Sequence, residues 1–193
     1  MSSSLDRYLR VAVVQLAIIG ALGHARIANA ADKPPAVGDI ASDFTLDAVD
    51  GEKTQLSQLL KKGPVVLIVL RGFPGYQCPV CNVQVGHFLT NAKEFEAANA
   101  NVMLVYPGPA DGLKQRAKEF IRGKTSPGNF YLVLDPDFHF TLAYGLRWEA
   151  KNETAYPSTF VIGQDGRVHF AKVSKTHGGR ASVEEVLKVL ASK

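Results

Sequence analysis

Residues 63–86, GPVVLIVLRGFPGYQCPVCNVQVG, contain an apolar run that is soon followed by two cysteines. The run from Pro64 to Leu70 consists of β-branched and aliphatic residues, which is typical of a strand buried on both faces, as in a parallel sheet. Cys78 and Cys81 are the only two cysteines of the chain. The residues after Pro79 have helical spacing, so the pair is predicted to lie where a buried strand passes into a helix.

The rest of the chain predicts further strands and helices around this junction. Asp50-Gly51 lies between two short alternating segments and indicates a hairpin. Two more buried strands, at 101–107 and 129–136, follow helical segments, and a second hairpin precedes a last amphipathic helix at 182–193. Residues 79–100 are predicted to form one helix whose apolar face consists of Val80, Val83, His87 or Phe88, Asn91 or Ala92, Phe95 and Ala98. The fold class is therefore α/β, with a central mixed β-sheet flanked by helices.

The first thirty residues have the layout of a signal peptide. Arg7 and Arg10 precede an apolar stretch, Val11 to Gly23, and small residues lie at 28 and 30, where a signal peptidase needs them. Thirteen apolar residues are fewer than the roughly 20 that cross a bilayer as a helix. We therefore expect a signal peptide at 1–30, a linker at 31–37, a single domain at 38–193, and a periplasmic or secreted product without stable membrane insertion. An uncleaved membrane anchor is the alternative.

The charge of the chain is small and evenly spread. There are 22 basic and 18 acidic residues, a formal net charge of +4, and removal of residues 1–30 lowers it to +2. The basic residues form no run longer than Lys61-Lys62. We therefore expect no nucleic-acid partner.

The position of Cys78 predicts a reactive thiolate. Free backbone N–H groups and the helix dipole at a helix N-terminus lower a cysteine pKa from about 8.5 to roughly 3.5–7.5. Pro79 suits the first helical position, where no N–H is needed. Cys78 is thus the predicted nucleophile, and Cys81, almost one turn later, is predicted to attack the resulting intermediate and form an internal disulfide. The loop between them is too short for this disulfide to be a structural one.

The cysteine pair also has other interpretations. A structural zinc site needs four ligands, and no second CxxC or HxxxH is present, so no metal and no other cofactor is predicted. Two inert buried thiols and a non-catalytic binding module are further alternatives. A copper carrier would use both cysteines and a distant histidine, for which His169 is the candidate.

A second candidate site is Tyr156-Pro157, which directly precedes the strand pattern of residues 158–162. A proline is tolerated at the start of a strand, where a tight turn can hold the preceding bond cis. The ordinary trans proline is the alternative.

The segments VGDIASDFTLDAVDGEKTQLSQLLKKGPVVLIVLRG, CPVCN, YPG, LDPDFHFTLAYGL and YPSTFVIGQDGRV resemble the thioredoxin-like AhpC/TSA (redoxin) superfamily, and most closely its peroxiredoxin-like branch. This resemblance implies a thioredoxin-like fold over nearly all of residues 37–190. It also implies that Pro157 is cis and faces the cysteines, and that Pro157 and the backbone of Tyr156 dock the substrate chain.

The chain departs from the pattern of typical peroxiredoxins before the first cysteine. Those proteins have a proline seven residues and a threonine or serine three residues before the peroxidatic cysteine. Here Arg71 and Gly75 occupy these positions. The hydroxyl that polarises a peroxide is therefore missing, whereas Arg71 is a candidate for stabilising the Cys78 thiolate.

The leading hypothesis is an exported thiol–disulfide oxidoreductase that cycles Cys78 and Cys81 between dithiol and disulfide. A peroxiredoxin-like thiol peroxidase with antioxidant activity, in which Cys78 is peroxidatic and Cys81 resolving, is the first alternative, and the copper carrier is the second. Expected partners are protein or small-molecule disulfides or hydroperoxides, and an electron donor or acceptor that the sequence does not identify.

Overall fold

A computed structural model describes residues 33–192, and the predicted signal peptide lies outside them. The elements are β1 Thr45–Asp47, β2 Lys53–Gln55, α1 Leu56–Leu60, β3 Val65–Val69, α2 Pro79–Thr90, α3 Ala92–Ala97, β4 Asn101–Gly108, α4 Leu113–Ile121, β5 Phe130–Pro136, α5 His139–Ala143, β6 Ser158–Ile162, β7 Val168–Val173 and α6 Val183–Ala191. The predicted strands and both hairpins are confirmed. No helix within this part of the chain is long and apolar enough to cross a membrane.

The main sheet has five strands in the order β5-β4-β3-β6-β7. β3 pairs in parallel with β4, and β4 pairs in parallel with β5. β6 is antiparallel to both β3 and β7, so the sheet is mixed, as predicted. Every residue of β3 is buried, which confirms that this strand lies at the centre with both faces covered.

The two faces of β3 contribute to two apolar cores. Val66 and Ile68 pack in a cluster that includes Phe88 of α2 and Val186 of α6. Leu67 and its neighbours at odd positions pack in the second cluster, together with side chains of α1 and α5. This alternation follows from the period of two in a strand, and it fixes α2 and α6 against the same side of the sheet.

The predicted helix 79–100 is interrupted. Asn91 has φ −101° and ψ 27°, and it separates α2 from α3. The predicted apolar face is wrong in the first half of α2, where the side chains of Val80 and Val83 are 39% and 59% exposed. The positions that face the core there are instead occupied by Cys81, Gln84 and Val85, whereas the predicted Phe88 is buried. The cysteine therefore takes the inner position that an apolar residue would take in a helix that only packs.

The direction of the strands determines which loops meet. β7 runs in the same direction as β3, because each is antiparallel to β6. Consequently the loop that follows β3 and carries Cys78 lies at the same edge of the sheet as the segment that follows β7. This edge, at the carboxyl ends of the parallel strands, is where open α/β sheets place their functional sites.

Candidate active site

The loop between β3 and α2 is held against the neighbouring strand. A Cβ atom at Gly72, where φ is +71°, would lie 1.9 Å from the carbonyl oxygen of Pro107, so only glycine fits. The amide of Phe73 donates to the same oxygen at 2.9 Å. This contact brings the chain from the end of β3 back to the start of α2 and places Cys78 over the sheet edge.

Cys78 is the N-cap residue of α2. It has extended backbone angles, φ −72° and ψ 112°, and its sulfur accepts a hydrogen bond from the amide of Cys81 at 3.4 Å. Pro79 occupies the first helical turn, as predicted. The sulfur therefore receives one of the N–H groups that have no partner within the helix, and it lies at the positive end of the helix dipole.

Arg180 lies against both sulfurs. Its Nη1 is 3.3 Å from Cys81 Sγ and 2.9 Å from Gln84 Oε1, and its Nη2 is 3.8 Å from Cys78 Sγ. The guanidinium group is partly buried between α2 and the segment that follows β7. A cation and two thiol groups thus form one contiguous group.

These contacts separate the acidities of the two thiols. The hydrogen bond from the Cys81 thiol lowers the pKa of Cys78 to about 5, against the effect of burial. The Cys81 amide and the charges of Arg180 and Arg71 also lower it. The pKa of Cys81 is raised well above its ordinary value, because its proton is held by Cys78 and its sulfur is buried. At neutral pH the site contains one thiolate and one thiol, as the roles of nucleophile and resolving cysteine require.

Both sulfurs lie below the surface. Cys78 is 2% exposed and Cys81 is not exposed at all. The sulfur predicted to be the nucleophile is thus covered almost as completely as that of Cys81. A bulky substrate therefore cannot reach the sulfur without a rearrangement of the residues that cover it.

Arg71 is buried in an ion pair. Its Nε is 2.5 Å from Glu153 Oε2, its Nη1 donates to the hydroxyl of Tyr76 at 2.6 Å, and its Nη2 donates to the carbonyl of Asn152 at 2.8 Å. Its charge lowers the pKa of Cys78 less than that of Arg180 does. Arg71 is therefore a more distant cation of the site, and Arg180 is the one in contact with the sulfurs.

The Tyr156-Pro157 bond differs from the expectation. No peptide bond in residues 33–192 is cis, so the predicted cis proline is wrong. The Tyr156 amide donates to Leu146 at 2.9 Å, and the Pro157 carbonyl accepts from Ser174 at 2.8 Å. An extended trans chain satisfies both bonds. The Tyr156 ring stacks on Trp148, with 4.9 Å between centroids, and Pro157 is buried.

The histidine considered for copper lies far from the cysteines. His169 is near the start of β7, whereas Val173, at its end, is level with the end of β3. Four residues of strand separate these levels by about 13 Å. His169 faces Asp165, 3.6 Å away. No cluster of three or more potential metal ligands occurs within the described part of the chain, and the predicted copper ligand set is not assembled there.

Sequence reasoning missed Arg180, Glu153 and His177. Arg180 is separated from Cys78 by about a hundred positions and belongs to no motif. The available signal is topological. If β6 of the last hairpin pairs antiparallel with β3, then β7 ends at the same edge of the sheet as β3, where Cys78 lies. Arg180 is among the residues that follow β7, so it is placed at this edge.

The sequence model of the AhpC/TSA family matches residues 37–171. No protein with a curated description matches the chain. Among solved structures, peroxidoxin BcpB from Mycobacterium tuberculosis is similar with a TM-score of 0.64 and 24% identity, over 82% of this chain and 97% of that one. The mitochondrial 2-Cys peroxiredoxin of Plasmodium falciparum has a TM-score of 0.62 and 23% identity, over 81% and 93%.

The likeness to solved structures agrees with the mixed sheet flanked by helices. The structural likeness supports the thioredoxin-like fold, and the family match covers β1 to β6 and most of β7, including both cysteines. A thiol-dependent oxidoreductase is the class of enzyme that this combination indicates. The chain belongs to the AhpC/TSA family.

Proposed function

We propose that the protein is an exported thiol–disulfide oxidoreductase that cycles Cys78 and Cys81 between a dithiol and a disulfide. The observation that carries this proposal is the contact of both cysteine sulfurs with the Arg180 guanidinium, together with the hydrogen bond from the Cys81 amide to the Cys78 sulfur at 3.4 Å. In this arrangement the pKa of Cys78 is lowered and that of Cys81 is raised. The nucleophile and the group that resolves its adduct are therefore on one helix and in contact before any substrate binds.

The proposed cycle balances with a disulfide as the oxidant. The Cys78 thiolate attacks one sulfur of the substrate disulfide, the substrate S–S bond breaks, and the departing thiolate takes up a proton. Cys81 then loses its proton and attacks the Cys78 sulfur of the mixed disulfide. The Cys78–Cys81 bond forms, the second substrate sulfur leaves as a thiol, and two electrons have passed from the protein to the substrate. A dithiol electron donor restores the reduced pair.

Arg180 and Arg71 favour this cycle by charge. Each holds a positive charge near the atom that is negative in the reduced state and during attack. The docking of a substrate chain at Tyr156 and Pro157 stays a prediction. Of these two residues, Tyr156 is partly exposed and Pro157 is buried. Lys175 Nζ lies 4.4 Å from the centroid of the Tyr156 ring.

Single cysteine variants test the cycle. Cys78→Ser is expected to abolish the acceleration by the protein of insulin reduction by dithiothreitol, because the nucleophile is lost. Cys81→Ser retains a hydroxyl that can donate to Cys78, and it is expected to accumulate a mixed disulfide detectable by mass spectrometry. Equal activity of both variants and the wild type would contradict the proposal. The chain has no third cysteine, so any mixed disulfide in Cys81→Ser must be formed by Cys78.

A second candidate substrate is a hydroperoxide, and the burial of Cys78 favours it because a small molecule needs less opening than a protein disulfide. The thiolate would attack the terminal oxygen, the O–O bond would break, and an alcohol would leave with a proton. Cys81 would then displace water from the sulfenic acid and form the same disulfide. Gly75 supplies no hydroxyl to orient the peroxide. Stopped-flow oxidation by hydrogen peroxide decides the matter, since a rate no faster than that of a free thiol removes this candidate.

The export of the protein is supported by the sequence of residues 1–30 alone. We infer that a signal peptidase cleaves after Ala30 and that the domain functions in the periplasm or outside the cell, where a dithiol–disulfide pair meets oxidising conditions. Fractionation followed by N-terminal sequencing is the test. A cytoplasmic protein that begins at Met1 would contradict it.

A further inference from the structure

The thiol pair is covered by a short segment after β7, residues 174–181, here called the Arg180 segment. Its first residue, Ser174, is fixed to the sheet by the hydrogen bond to Pro157. Residues 175–179 are exposed, and they include Gly178 and Gly179, of which Gly179 has φ +66°. Arg180, near the end, turns inward to the sulfurs. Ser174 and Ala181, at its two ends, are buried, and the Ser174 hydroxyl donates to the carbonyl of Thr176 at 2.8 Å. Between these ends, Arg180 provides the contact of the segment with the sulfurs.

Glu153 links the two arginines of the site. One of its carboxylate oxygens is 2.5 Å from Arg71 Nε, and the other is 2.9 Å from His177 Nε2. The carbonyl of His177 accepts from Arg180 Nε at 2.9 Å. Through these contacts the buried Arg71–Glu153 pair fixes the position of His177. The carbonyl of His177 in turn fixes the position of the Arg180 guanidinium. Burial opposes ionisation of Glu153, but the hydrogen bonds with Arg71 and His177 outweigh it and lower the pKa of this carboxyl.

Resting on the thiol–disulfide cycle proposed above, we propose that Glu153 is a positioning residue that acts through His177. It holds the Arg180 segment closed over the reduced cysteines, and oxidation of the pair releases that segment.

The release follows from charge. In the reduced site the Arg180 guanidinium faces the Cys78 thiolate, and its remaining partners are the neutral oxygens of Gln84 and His177. When the two sulfurs join, the negative charge disappears and a partly buried cation loses its counter-charge. Burying an unpaired guanidinium costs free energy, and this cost disappears when the group is paired or exposed to solvent. Because Gly178 and Gly179 give the backbone freedom, Arg180 moves outward and the disulfide becomes accessible to its reductant.

The chain contains its own reporter of this movement. Trp148 is the only tryptophan. Its ring centroid is 5.4 Å from that of His177, which belongs to the Arg180 segment. Its stacking on Tyr156 lies outside that segment. Departure of the imidazole therefore changes the surroundings of Trp148 on one side only, and a change in its fluorescence reports the position of the segment.

The first experiment measures the pKa of Cys78 from the ultraviolet absorbance of its thiolate. In Glu153→Gln and His177→Ala the guanidinium is no longer held against the sulfur, so the pKa is expected to rise by about one unit, a tenfold change in the equilibrium. If Glu153 were only a nearby negative charge, its removal would lower the pKa, and that result would overturn the proposal. His177→Ala leaves the Arg71–Glu153 pair intact and keeps the test valid if Glu153→Gln does not fold.

The matched control is Glu149→Gln. This carboxylate is close in sequence, its side chain is 73% exposed, and it pairs with Arg147 at 3.7 Å rather than with the Arg180 segment. The pKa of Cys78 is expected to be unchanged in it. An equal rise in Glu149→Gln and Glu153→Gln would also overturn the proposal.

The second experiment compares the Trp148 fluorescence of the reduced and oxidised protein. A difference is expected in the wild type and should be absent in His177→Ala and in the Cys78→Ser/Cys81→Ser double variant. Unchanged emission on complete oxidation of the wild type would refute the release. Failure to form the internal disulfide at all would instead contradict the thiol–disulfide cycle, so the two proposals fail in different ways.

Discussion

Helices α2 and α6 begin with the same kind of cap but use it for different purposes. In α2 the Cys78 sulfur accepts from the amide of Cys81 at 3.4 Å, and in α6 the Ser182 hydroxyl accepts from the amide of Glu185 at 3.2 Å. Each bond satisfies the amide of the third helical residue. In α6 the Ser182 amide in turn donates to the Glu185 carboxylate at 2.8 Å, which completes a capping box. In α2 the capping atom is the proposed nucleophile.

The faces of the two helices differ in the same way. The inner face of α6 consists of Val183, Val186 and partly buried aliphatic neighbours, as the sequence pattern predicts. The inner face of α2 includes Cys81 and Gln84, which contact Arg180, while Val80 and Val83 point outward. A helix that only packs obeys the apolar pattern, whereas a helix that carries chemistry gives inner positions to reactive and polar groups.

The sharpest test of this difference is a pair of substitutions on opposite faces of α2. Phe88 is buried and stacks on Phe95 with 5.3 Å between ring centroids, so Phe88→Ala is expected to lower the free energy of unfolding by about 3–5 kcal/mol. Val83 is exposed, and Val83→Ala is expected to change it by no more than about 0.5 kcal/mol. Urea unfolding measures both. A larger loss at Val83 would show that α2 packs by the face that its sequence predicts.

The two caps should also respond differently to pH. The pKa of Cys78 is about 5 in the folded protein and about 9 when unperturbed. Between these values the unfolded chain binds one more proton than the folded one, so the stability of the reduced protein rises with pH, by at most about 1.4 kcal/mol per unit. Below pH 5 both states are protonated and this contribution is lost. Cys78→Ser keeps a neutral cap and should lack the rise, which unfolding at several pH values would detect.

The reduction potential of the cysteine pair tests how Arg180 affects the thiolate at the start of α2. A stabilised thiolate favours the reduced pair, which makes the disulfide a stronger oxidant. Arg180→Gln is expected to raise the pKa of Cys78 and to make the potential more negative, by about 30 mV for each pKa unit. Equilibration with glutathione measures this potential. A potential that is unchanged in Arg180→Gln would mean that the guanidinium does not stabilise the thiolate.

Much of the fold could be predicted because it depends on local patterns. Continuous apolar runs identified β3, β4 and β5, and the glycine turns identified both hairpins. The position of Cys78 at a helix N-terminus followed from the strand that ends before it and from Pro79. These features need only the spacing of residues that are close in the sequence.

The rest of the site depends on contacts between distant residues. Arg180 reaches Cys78 across 102 positions, and Arg71 reaches Glu153 across 82. Neither pair has a spacing that a sequence pattern can reveal. Phe88 was predicted on the inner face of α2, but Cys81 and Gln84 were not, because an apolar pattern places Val83 there. That pattern contains no information about Arg180, which lies on another element and contacts the sulfur of Cys81 and the amide oxygen of Gln84.

The smallest expected effect concerns the cap that has no chemical role. Ser182→Ala removes the acceptor for the Glu185 amide and should lower the free energy of unfolding by about 1 kcal/mol. The pKa of Cys78 should not change, since the capping hydrogen bonds of Ser182 are made with Glu185 and not with either sulfur. Chemical denaturation and thiolate absorbance measure the two quantities on one sample. A coupled change in both would mean that the start of α6 helps to hold Arg180, and the division between a structural cap and a reactive cap would then be incorrect.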